Sequence, residues 1–113
     1  MPTSRKAMTR SVERVVYRCK SILAQHYGER FAGMVLYGSV ARGRSQADSD
    51  IDLLVLLRGS FNTFEELRRI VDLLYPVQLE CKRLISAKPV SLQDFERGHL
   101  QLYRNAKREG VLV

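Results

Sequence analysis

The chain has 113 residues, enough for one domain with its own core and too few for two, so residues 1–113 are read as a single unit. Hydrophobic residues make up 45% and charged residues 27%, a mix that excludes a disordered or fibrous chain. The balance of 19 Lys+Arg against 12 Asp+Glu leaves a net charge of +7, which favours an anionic partner such as a nucleotide, RNA or an acidic protein face.

Met8, Val12, Val15, Val16, Cys19, Ile22 and Leu23 recur at helical spacing and predict a first amphipathic helix that stops near Gly28. Phe31 to Tyr37 reads as a short strand cut off by Gly38-Ser39. A polar stretch from Ala41 to Ser49 leads to Ile51–Leu57, a near-continuous apolar run expected to be a strand covered on both faces. Thr63 and Glu66 have the spacing of a capping box and open a helix over 63–74, with Phe64, Leu67, Ile70, Val71 and Leu74 as its apolar face. Pro76 is taken to end that helix and open a third strand from Val77 to about Ile85, broken by Lys88-Pro89. Ser91 and Asp94 start a last helix with Leu92, Phe95, His99, Leu102, Tyr103 and Ala106 inward. Gly110 ends it, and Val111-Leu112-Val113 suits a short edge strand. The predicted order is α-β-β-α-β-α, an α+β fold with a small mixed β-sheet and helices packed on it.

No apolar run approaches the ~20 residues of a membrane span, and the N-terminal segment lacks an apolar signal core. Cys19 and Cys81 have no metal or redox spacing and suit free thiols in a reducing compartment. The expected location is therefore the cytoplasm.

The chemistry concentrates in Gly38-Ser39 and, after a ten-residue spacer, Asp50-Ile51-Asp52 at the start of the second strand. Alternation puts Asp50 and Asp52 on one face. Two carboxylates beside an apolar run are costly unless a cation lies between them. Oxygen ligands of this kind suit Mg²⁺ or Mn²⁺, with substrate phosphates completing the shell. Gly38 leaves room for a phosphate to approach the backbone, Ser39 can donate its hydroxyl and N–H, and Arg42 and Arg44 can add charge to a triphosphate.

These residues, GSVARGRSQADSDIDLLV, resemble the signature of the minimal nucleotidyltransferases (MNT) of the DNA polymerase β-like superfamily. The resemblance implies a polymerase β palm-like fold and transfer of a nucleoside monophosphate, here AMP from ATP, to a hydroxyl with two Mg²⁺ ions. It also implies a third carboxylate from the neighbouring strand. Alternation along the predicted strand 77–85 makes Glu80 the candidate, so the expected catalytic and metal-binding set is Asp50, Asp52 and Glu80, with Gly38, Ser39, Arg42 and Arg44 binding nucleotide. Many members are antitoxins paired with HEPN-type ribonuclease toxins, and some adenylylate a toxin tyrosine. A HEPN-type toxin is therefore the expected partner, the chain being too short to build an acceptor pocket of its own.

Two other readings stay open: an antitoxin of this fold that acts only by binding, and transfer to RNA or a small molecule. Lys6, Arg10, Arg14 and Arg18 form a basic stripe that reads more simply as a solvated helix face than as an RNA contact.

Overall fold

The computed structural model describes residues 9–38, 49–98 and 100–113. Helix α1 spans Arg10–Tyr27, capped by Thr9, whose hydroxyl accepts from the Val12 N–H at 3.3 Å. Its buried residues Val12, Val16, Cys19, Leu23 and Tyr27 follow the helical spacing of the sequence. Gly28 ends it at φ 57°, and a short 3₁₀ turn leads into β1, Phe31–Tyr37. β2 is Ile51–Leu57, α2 is Thr63–Leu79, β3 is Ile85–Ser91, α3 is Leu92–Arg97, α4 is Gln101–Glu109 and β4 is Val111–Leu112.

The four strands form one mixed sheet in the order β3-β2-β1-β4. β1 pairs antiparallel with β2 and β4, while β2 and β3 run parallel, joined through α2. β2 is the keel. Ile51, Leu53, Val55 and Leu57 face α1 and α2, packing with Val16, Leu23, Ile70, Leu74 and Val77. Leu54 and Leu56 face the other way, towards Phe95 of α3 and Ala106 of α4. With both faces covered, an unbroken apolar run is what this strand requires.

The α+β class and the mixed sheet agree with the sequence reading, and so does the closing edge strand β4. The third strand does not. α2 continues through Pro76 to Leu79, so Val77 is helical and buried, and β3 begins only at Ile85. Pro76 removes one backbone donor, but the apolar spacing Ile70, Leu74, Val77 carries the helix over the gap. The Gln78 side chain then ties the helix end to β3, donating to the Arg83 carbonyl at 2.9 Å and accepting from the Ile85 N–H at 2.8 Å. Lys88-Pro89 lies inside β3 rather than ending it. An edge strand pairs on one side only and can lack a donor on the other.

Two smaller expectations are also corrected. Asn62, not Thr63, caps α2, accepting from the Glu65 N–H at 3.0 Å. Glu66 turns inward instead of closing a capping box: it accepts from the Tyr27 hydroxyl at 2.8 Å and from Arg69 at 2.7 and 2.9 Å. This rotates the helix so that Phe64 and Val71, expected inside, are 82% and 58% exposed. The single last helix is divided by Gly98, which adopts φ 64° and ends α3.

Candidate active site

Backbone contacts hold the start of β2 in place. The Ile51 N–H donates to the Leu84 carbonyl at 2.8 Å. Arg83 reaches the Ser49 carbonyl at 3.4 Å, steadying the residues that precede Asp50. Asp50 is exposed at the mouth of the strand, and Asp52 is half-buried one alternation further in. Asp52 pairs across the antiparallel ladder with Tyr37 and across the parallel ladder with Ser86.

Gly38 follows Tyr37 at φ 78°. A Cβ built there would lie 2.6 Å from the Asp52 Oδ2. The glycine is therefore required twice, by a backbone conformation that L side chains rarely adopt and by the carboxylate beside it. The sequence reading assigned it only to phosphate approach.

Burial raises the Asp52 pKa, and the neighbouring Asp50 raises it further, while Lys88 opposes both. Tyr37 is also held above its ordinary value, first by burial and then by the Asp52 charge. Asp50 and Asp52 together form an anionic cluster suited to a cation. They share it with a phenol, a hydroxyl and an ammonium group.

Glu80 is not part of this arrangement. It caps the C-terminal end of α2 and forms an ion pair with Arg18 of α1. It lines a hollow with Ser11, Val12, Val15 and Ile51, on the side of the sheet that α1 covers. Strand alternation turns Asp52 to the opposite face from Ile51, so the sheet separates Glu80 from the carboxylate pair. The error follows from the misplaced strand. It also accounts for part of the basic stripe: Arg18 is tied to Glu80, while Arg10 and Arg14 are solvated. Ser39, Arg42, Arg44, Lys6 and His99 lie outside the described residues.

The true neighbour strand brings Ser86 and Lys88 to the Asp52 face, one directly beside Asp52 and the other two residues along. The signal was present in the sequence: Ile85, Ala87 and Pro89 alternate with Ser86, Lys88 and Val90. Among the described residues no three His, Cys, Asp or Glu side chains converge to hold a metal. Asp50 and Asp52 offer oxygen ligands that fit a hard cation, with oxygens from a bound phosphate completing its shell.

Residues 18–113 match the family model described as Polymerase beta, Nucleotidyltransferase. The crystal structure of a "putative nucleotidyltransferase" from Sulfolobus solfataricus superimposes with a TM-score of 0.59, covering 88% of this chain and 76% of that one at 20% identity. At that identity the likeness concerns the fold. No curated protein sequence matches. Among the described residues no helix is long and apolar enough to cross a membrane.

Proposed function

The chain belongs to the polymerase β nucleotidyltransferase family, and on that premise we propose that it transfers AMP from ATP to a tyrosine hydroxyl of a HEPN-type ribonuclease, acting as its antitoxin. The observation that carries transfer is the pairing of Asp50 and Asp52 on one face, with Gly38 stripped of a side chain to admit the Asp52 carboxylate. An exposed apolar stripe on α2, containing Phe64, Val71, Tyr75 and Leu79, supports a protein partner.

In the reaction, the acceptor oxygen bonds to the α-phosphorus as the bond to the β-phosphate bridge breaks. Pyrophosphate leaves, and the hydroxyl proton passes to solvent. Mg²⁺ held by Asp50 and Asp52 would neutralise phosphate charge and polarise the α-phosphate. The chain's own share is positional and electrostatic. Gly38 keeps the strand end open, and the Ile51–Leu84 and Arg83–Ser49 bonds fix where the carboxylates stand.

Ser86 and Lys88 on β3, where a third carboxylate was expected, favour a second reading in which the chain neutralises its partner by binding alone. One experiment separates the two. The pair is incubated with ATP and Mg²⁺, and the partner's intact mass is measured. A gain of one AMP, lost in Asp52→Asn, supports transfer. A stable complex without added AMP rejects transfer and leaves binding, and failure to form a complex rejects the partner.

A further inference from the structure

Lys88 occupies a place with a specific electrostatic consequence. β2 and β3 are parallel with Asp52 opposite Ser86 and Leu54 opposite Lys88. Opposed residues of a parallel pair share a face, so Asp52, Ser86 and Lys88 project to the same side. Along β3 the next residue on that face is Val90, which is buried with Leu54, Leu56 and Phe95. The open part of this face therefore ends at Lys88. Two residues of strand separate Lys88 from the level of Asp52, roughly 6–7 Å. A flexible four-carbon stem spans that distance, and its charge acts on Asp52.

The charge balance follows. Asp50 and Asp52 carry two negative charges, which one divalent ion cancels. A third carboxylate with a second divalent ion would add one net positive charge. One ammonium group adds the same charge with no metal at all.

Building on the nucleotide site proposed above, we infer that Lys88 stands in for a second ion and its carboxylate, so that this chain holds a nucleoside triphosphate with one divalent cation instead of two. The ammonium contacts the phosphates as a point charge with three donors. Ser86, directly beside Asp52, offers a further donor to the same oxygens.

The alternative is that Lys88 only guards an exposed sheet edge, a common use of lysine. The test counts ions. The full chain is titrated with Mn²⁺ in the presence of a non-hydrolysable ATP analogue, and free Mn²⁺ is read by electron paramagnetic resonance while calorimetry reads nucleotide affinity. The expected result is one Mn²⁺ per bound nucleotide in the natural chain and two in Lys88→Glu. Lys88→Gln should keep one Mn²⁺ and weaken the triphosphate about tenfold, the loss expected for a charge-assisted contact. Residue 88 is exposed, so Lys88→Gln should melt like the parent, and Lys88→Glu, which adds a third carboxylate, should do so once Mn²⁺ is bound. Two Mn²⁺ in the natural chain overturns this inference and leaves the nucleotide site standing. Unchanged stoichiometry and affinity in both variants assigns Lys88 to edge protection and overturns it too. Absence of nucleotide binding to the natural chain overturns the parent reading and this one with it.

Discussion

β2 and β3 lie side by side, parallel and in register, yet they obey different rules. β2 is covered on both faces and almost every residue after Asp52 is fully buried. It can carry charge only at its open end. Among the described residues β3 has a strand neighbour on one side, and it tolerates Ser86, Lys88 and Pro89 along its length. The inner strand thus supplies anchored carboxylates, and the outer strand supplies variable chemistry next to them. Altering the outer strand can retune the site without endangering the core.

Substitutions at the two strands test that division. The largest effect is expected from Asp52→Asn, which should reduce AMP transfer by orders of magnitude in an assay with α-labelled ATP. Its melting temperature should be equal to or higher than the parent's, because the change removes a half-buried charge facing Asp50. Next, Leu54→Ala in β2 should cost ~2–5 kcal/mol in chemical denaturation, as fully buried leucines do. Lys88→Ala, its register partner on β3, should change stability by no more than ~0.5 kcal/mol. Equal costs at the two positions would break the comparison.

Gly38→Ala tests the joint between β1 and β2. It places a methyl group against the Asp52 carboxylate in a positive-φ conformation, and should cost ~1–2 kcal/mol and also impair transfer. An unaffected variant would show that Asp52 does not need the space.

A smaller effect lies away from the site. Burial alone would raise the Glu66 pKa, but bonds from Tyr27 and Arg69 outweigh it and hold the carboxyl below its ordinary value. A depressed acid stabilises the fold above its unfolded pKa, and that share is lost as pH falls through the folded value. Denaturation midpoints should therefore fall more from pH 6 to pH 3 in the parent than in Glu66→Gln. The smallest change is expected at Glu80→Gln. The Arg18–Glu80 pair is solvent-exposed and worth ~1 kcal/mol at most, and transfer should change less than a few-fold. A collapse of transfer in this variant would return Glu80 to the site and undo the distinction drawn between the two faces of the sheet.

The sequence was most legible where one signal had no competitor. The helical spacing of Val12, Val16, Cys19 and Leu23 met no interruption, and the apolar run after Asp52 admitted no other strand. The placement of Gly38, Asp50 and Asp52 at strand ends was legible because a glycine turn and two alternating acids stand where tertiary packing has little to overrule. β3 was misplaced because each of the two prolines that frame its assignment, Pro76 in α2 and Pro89 in β3, has two readings. Pro76 reads as a helix stop until Val77 is seen to complete the inward face of α2, and Pro89 reads as a strand stop until β3 is known to be an edge. Glu80 fell with that error, since its assignment rested on the strand. The inward turn of Glu66 was hidden for a different reason: its phenol partner, Tyr27, lies on another helix and 39 positions away.

Pro89 bears on how the sheet meets other sheets. Among the described residues β3 has no strand neighbour on one side of its backbone, which is the kind of surface on which extended polypeptides add and propagate. A proline within that row withholds one amide, and the adjacent Lys88 sets a positive charge beside the gap. A stray strand laid along this margin would find its hydrogen-bond ladder interrupted midway. The residue that made β3 hard to recognise is also the one that leaves this margin a donor short.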